Sequence, residues 1–226
     1  MVLLAPMLIE VLVFGLANLV EPGLIRIEGE ALTRDHVRTI QLLACIVAVL
    51  YFALLSGWSQ RIGAGAFAGT MRAPAYWLVI GVVVGPMCLI LPTMIANIAM
   101  AGQEGWAYAD DYDPSWDAKA NWSLTTIFFV ALLAPIVEEV AFRGVAMGAM
   151  LARGINPYAS ATIASFVFMT THFQYSPAAL AVVFVAGLGF SALRLLSGSM
   201  LVPIVAHISA NGLVLWLQAL ADVPAT

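Results

Sequence analysis

Seven apolar runs alternate with short polar stretches along the chain, at about residues 1–20, 39–57, 74–101, 121–152, 157–173, 177–196 and 200–221. A helix needs roughly 20 mainly apolar residues to cross about 30 Å of hydrocarbon. None of the runs alternates as a barrel strand would, so each is read as a helix, which satisfies its own backbone in lipid. The pattern predicts an all-α, polytopic transmembrane helix bundle of seven spans, or eight if 121–152 is broken. No repeat or low-complexity tract divides it, so residues 1–226 read as one membrane-embedded domain. The first run lacks a basic leading segment and is long enough to span, so it is expected to stay as a helix rather than be cleaved. Glu10 within it is expected near an interface or facing the bundle.

The fourth run breaks the apolar rule. It reaches about 48 Å as a continuous helix, more than the hydrocarbon core. At its middle stands APIVEEVAFRG, residues 134–144, with Glu138, Glu139 and Arg143. Pro135 removes a backbone donor just before the pair and favours a kink or break there. Glu139 and Arg143 are four apart in the favourable order for an ion pair on one helix face, whereas Glu138 points about 100° away. Pairing accounts for two of three charges, each costing about 2.5–3.5 kcal/mol at mid-membrane. Glu138 is left over.

Composition sharpens the class. The chain is 62% hydrophobic and 10% charged, against about 25% charged in soluble domains, with a mean hydropathy of +0.97. It reads as an integral, multi-pass protein of the cell membrane in contact with lipid. A net charge of −4 supplies no attraction for nucleic acid. Cys45 and Cys88 both lie in apolar runs and read as small buried residues. Arg26, Arg34, Arg38 and Lys119 fall on one side of seven spans, and Arg61, Arg72, Arg153 and Arg194 on the other, so the positive-inside count is tied. Asp110, Asp111, Asp113 and Asp117 cluster in a loop without EF-hand spacing, which reads as a solvated loop with interfacial Trp106, Tyr108 and Trp116.

Of three histidines, His36 lies in the first loop and reads as a surface residue. His172 ends FVFMTTH, with Phe168 four residues earlier on the same face. His207 lies in VAHISANG, with Asn211 four residues later on its face. A carboxylate, two imidazoles and an amide thus come from three apolar helices. Interhelical hydrogen bonding alone returns about 0.6 kcal/mol per bond where measured, a small gain for burying four such groups, so a functional site is the stronger reading. Glu138 suits a general base and a neighbouring histidine suits its proton. An imidazole and an amide on one face suit an oxyanion. Water activated by a carboxylate points to hydrolysis of an acyl bond, a peptide bond first. Two histidines and a glutamate, Glu138, His172 and His207, equally form a zinc set with one open position, though no H-E-x-x-H stands on one helix. A proton path in a transporter remains a further reading.

EEVAFR, FMTTH and HISAN read as E-E-x-x-x-R, F-x-x-x-H and H-x-x-x-N. In this order, on successive helices, they resemble the CPBP (Abi) family of intramembrane proteases, which includes type II CAAX prenyl endopeptidases and bacteriocin-processing and self-immunity proteins. The resemblance covers about residues 120–215, the protease-like core. It implies an endopeptidase in which Glu138 and His172 activate water, His207 and Asn211 serve the oxyanion, and Glu139, Arg143 and Phe168 support them. It implies a peptide or protein substrate, lipid-modified or membrane-anchored ones included, and no obligatory prenyl group. A non-catalytic scaffold or immunity factor of the same fold is the alternative. No cofactor is expected and water rather than metal is expected between Glu138 and His172, with zinc as the alternative. That preference rests on Asn211 standing one turn from His207 and on Glu139 being committed to Arg143, whereas a ligating histidine wants a carboxylate or carbonyl on its other nitrogen.

Overall fold

The structure, a computed structural model, describes Leu50, Leu54 and residues 57–63, 69–99, 127–172 and 175–221. The first run, most of the second, the loop with the aspartates, Glu10, His36 and Cys45 lie outside the described residues. Every regular element among the described residues is helical. We number them α1 (Ala75–Ala99), α2 (residues 127–152), α3 (Pro157–Thr170), α4 (Pro177–Ser197) and α5 (Leu201–Ala221).

α1 and α4, of 25 and 21 residues, are long and apolar enough to cross a membrane. Only 11% of the most apolar window of α1 is buried, and Val79, Val83, Ile95 and Ile98 are exposed along it. An apolar surface of that extent matches hydrocarbon rather than water. These are the properties of an integral membrane protein, with two helices of spanning length among the described residues where the hydropathy pattern predicts seven runs in the whole chain.

Turn chemistry sets the ends of α3 and α4. Asn156 caps α3, its Oδ1 accepting from the N–H of Tyr158 at 2.8 Å and of Ala159 at 3.4 Å, and Pro157 supplies a pre-set first position. Ser176 and Pro177 repeat the device for α4, with Ser176 Oγ accepting from Ala179 N at 3.3 Å. α4 ends at Gly198, whose φ of 65° is the left-handed C-cap that glycine adopts without strain. α3 stops at Thr170, short of the expected 173, and its 14 residues measure about 21 Å. His172 therefore lies in the turn after α3 rather than within the helix.

α2 is continuous over its described residues, the unbroken one of the two alternatives that the sequence left open. It runs on as π-helix at Ile127–Leu133, α-helix at Ala134–Glu139, π-helix at Val140–Ala146 and α-helix at Met147–Ala152. The helical dihedrals persist through Leu133, Glu139 and Val140. Pro135 lacks an N–H and its ring crowds the carbonyl four residues back. The wider π turn ahead of it absorbs that conflict, and such π insertions cluster at functional sites.

α1 packs closely on α5 through Gly81 and Gly85, a G-x-x-x-G pair in GVVVG. A Cβ at Gly81 would meet Val202 O at 3.0 Å, and one at Gly85 would overlap the Ala206 carbonyl. The obstacle at Gly85 is backbone, so the helices would have to separate. Gly85→Val is expected to destabilise the bundle by about 1–3 kcal/mol, read as a lowered Tm in detergent, whereas Gly212→Ala, with open space around it, should leave Tm near wild type. The segment before α1 is stitched to the α4–α5 turn: Met200 N donates to Thr70 O at 2.8 Å, and Thr70 N to Gly198 O at 3.3 Å. Ala186, Phe190, Leu193, Val202, Ala206 and Ala210 form the core between α4 and α5 that α1 covers.

Candidate active site

The two adjacent glutamates of α2 occupy different environments. Glu139 and Arg143 are both fully buried. Arg143 Nη1 donates to Glu139 Oε1 at 2.8 Å. Its Nη2 donates to the Gly187 carbonyl at 2.9 Å and its Nε to Ser191 Oγ at 3.3 Å, both on α4. The guanidinium also lies over two rings, 4.7 Å from the centroid of Phe168 and 5.6 Å from that of Phe190. Glu138, one residue earlier, keeps 27% of its side chain exposed. The expected division holds: one carboxylate pairs with Arg143, the other turns elsewhere.

His207 of α5 joins both. Its Nδ1 donates to Glu139 Oε1 at 2.9 Å, and its Nε2 lies 3.6 Å from Glu138 Oε2. Glu139 is thus not committed to Arg143 alone, because one carboxylate oxygen has two lone pairs and accepts from both donors. The other oxygen, Oε2, is buried without a hydrogen-bond partner among the described residues. Phe190 stacks on the imidazole of His207, with centroids 4.6 Å apart and planes 22° apart. Phe168 meets the same ring edge-on at 5.9 Å and 89°.

His172 also packs against Phe168, with centroids 4.9 Å apart. Its Nδ1 lies 3.1 Å from Phe168 O, the geometry of a ring N–H donating to that carbonyl. In the neutral ring Nε2 is then the nitrogen with the free lone pair. Thr171 Oγ1 lies 3.2 Å from Nδ1. Among the described residues Glu138 makes its contact with His207 and not with His172. Asn211, one turn after His207, donates from Nδ2 to the Val130 carbonyl at 2.9 Å, which anchors the first π segment of α2 to α5.

Two consequences bear on a metal. Glu139 holds the second nitrogen of His207, which is the support a ligating histidine would have, so spacing alone had no force against zinc. Yet among the described residues no three His, Cys, Asp or Glu side chains gather as a metal-ligand set.

Gly187, Phe190 and Ser191 belong to the site but carry no charge to mark them. A Cβ at Gly187 would stand 3.1 Å from both Arg143 Nη2 and Ser165 Cβ. Ser191 Oγ lies 3.3 Å from Ser165 Oγ, which donates to Ala161 O at 2.7 Å. The signal was present in GLGFS, where Gly187 and Ser191 are four apart on an apolar helix, the small-residue spacing that admits a neighbour.

One curated relative and one family model match part of the chain. An uncharacterized 24.3 kDa protein of Escherichia coli is 34% identical over 92 residues, which is 40% of this chain and 42% of that protein. The match therefore spans less than half the length of that curated relative. No solved structure matches. A family model, "Type II CAAX prenyl endopeptidase Rce1-like", matches residues 120–213, a segment that contains every side chain of the site. Over those residues the chain resembles the type II CAAX prenyl endopeptidases, a family of membrane proteases.

Proposed function

We propose that this protein is a multi-pass intramembrane endopeptidase that hydrolyses a peptide bond with activated water. The observation that carries the reading is the division of labour between neighbouring carboxylates: Glu139 is sealed between Arg143 and His207, and Glu138 stays accessible beside His207 Nε2. Glu138 takes a proton from water, and the water oxygen adds to the scissile carbonyl carbon. The carbonyl oxygen becomes an oxyanion, which His207 Nε2–H and the second N–H of Asn211 stabilise. His207 donates there as an imidazolium, flanked by Glu139 at Nδ1 and Glu138 at Nε2. The intermediate collapses, the C–N bond breaks, and the proton passes to the leaving amine. The free nitrogen of His172 accepts a hydrogen bond from the other hydrogen of the same water and orients it. Substrates are peptides or proteins at the membrane, including lipid-anchored ones, and a prenyl group is not required by this chemistry.

A cleavage assay of purified protein in liposomes against a peptide library tests the proposal. Specific cleavage by wild type supports it. Binding of a membrane protein partner without any proteolysis would select a scaffold or immunity factor instead, and uptake driven by a proton gradient would select a transporter. The mechanism needs no metal, so activity is expected to survive exhaustive chelation. One equivalent of zinc that tracks with activity, is lost to chelator and restores activity on return would overturn the metal-free step.

A further inference from the structure

We infer that Phe190 is a positioning residue for His207, an inference that rests on the proposed peptidase chemistry. His207 must present Nε2 towards Glu138 and the scissile carbonyl. Its hydrogen bond to Glu139 Oε1 fixes one end of the ring, but a single bond at Nδ1 still permits rotation about the bond axis. The plane of the ring is set by its neighbours. Phe190 lies face to face with it, 4.6 Å away and 22° from parallel, and Phe168 closes one edge at 89°. Offset stacking is a defined minimum for aromatic pairs, worth about 0.5–1.5 kcal/mol beyond area burial.

Phe190 is itself held. It is 1% exposed and sits in the core formed with Ala206 and Ala210, the residues before and three after His207. The next residue along α4, Ser191, receives Arg143 Nε. The Arg143 guanidinium stands 5.6 Å from the Phe190 centroid, so the ring faces two cations when His207 is protonated. α4 thus touches both partners of Glu139, Arg143 and His207, through adjacent residues, and it fixes the imidazole plane by packing rather than by a hydrogen bond. A role of this kind shows in turnover rather than in substrate affinity, since no atom of Phe190 needs to meet the peptide.

The test compares Phe190→Leu, which keeps an apolar side chain but removes the ring, with Phe190→Tyr, which keeps the ring. Phe190→Leu is expected to lower kcat about tenfold, the upper stacking value expressed as a rate, with KM changed less than about twofold. Phe190→Tyr should recover most of kcat. In parallel, the ring ¹H and ¹⁵N resonances of His207 in detergent should report one fixed ring orientation in wild type and Phe190→Tyr, and exchange broadening from a rotating ring in Phe190→Leu. Wild-type kcat and a single ring orientation in Phe190→Leu would overturn the inference, as would a rise in KM alone. If wild type cleaves nothing, the peptidase reading fails by itself, and the ring-resonance comparison still decides whether Phe190 positions His207. Should Phe190→Tyr fail to fold, Phe190→Trp is the second ring-bearing variant.

Discussion

Glu138→Gln is expected to reduce cleavage by about 10²–10⁴-fold, the usual contribution of a positioned general base, while folded yield and Tm stay near wild type. The substitution preserves shape and removes the ability to take a proton. Glu138 is the one carboxylate of the pair with an exposed face, and its contact with His207 at 3.6 Å is longer than a hydrogen bond, so little native bonding is lost. Circular dichroism and size exclusion in detergent check the fold, and single-turnover cleavage checks the chemistry. A Glu138→Gln protein that folds and cleaves at the wild-type rate would remove the proposed base. One that misfolds while Glu139→Gln remains active would mean the two roles are exchanged.

Much of this site was legible because charge in an apolar run is costly and therefore conspicuous. The i,i+4 spacing of Glu139 and Arg143 predicts their pairing, and the pair is found at 2.8 Å. The α4 and α5 boundaries follow from Ser-Pro and from the glycine-serine turn, within a residue or so of expectation. The α3 boundary was less legible: FVFMTTH is apolar enough to continue, but the two threonines bond back to Val167 O and Phe168 O, and the helix ends there. The sequence left open whether α2 is continuous or broken. A proline in a 32-residue run suggests a break, and nothing in local sequence distinguishes a break from a π insertion. The uncharged members of the site, Gly187, Phe190 and Ser191, were hidden for the opposite reason to the charged ones: each is ordinary in an apolar helix, and only the packing of α4 on α2 and α5 reveals what they hold. The link from His207 to Glu139 likewise depends on tertiary placement, since 68 residues separate them.

Removing Arg143 should cost more in stability than any other single change in the site. Arg143→Ala is expected to destabilise the fold by about 3–5 kcal/mol, the cost of leaving one member of a buried ion pair unpartnered. Neither side chain has any exposed surface, so solvent cannot replace the lost contact. The guanidinium also satisfies the Gly187 carbonyl and Ser191 Oγ, and it fills the space between Phe168 and Phe190. Its loss therefore releases α4 from α2 as well as leaving Glu139 with His207 alone. Glu139→Gln should weaken the same network less, because the amide keeps an acceptor oxygen and loses the charge. The decisive comparison is the double variant Arg143→Met with Glu139→Gln. Replacing both members of a buried pair by groups of similar volume is often close to neutral, so the double variant should be more stable than Arg143→Ala and retain helical content by circular dichroism. It should nonetheless cleave poorly, because His207 then has no carboxylate to fix Nδ1. Thermal unfolding in detergent measures the first effect and single-turnover cleavage the second. An Arg143→Ala protein with wild-type Tm would show that the buried pair does not hold α2 to α4, and a fully active double variant would show that Glu139 does not orient His207.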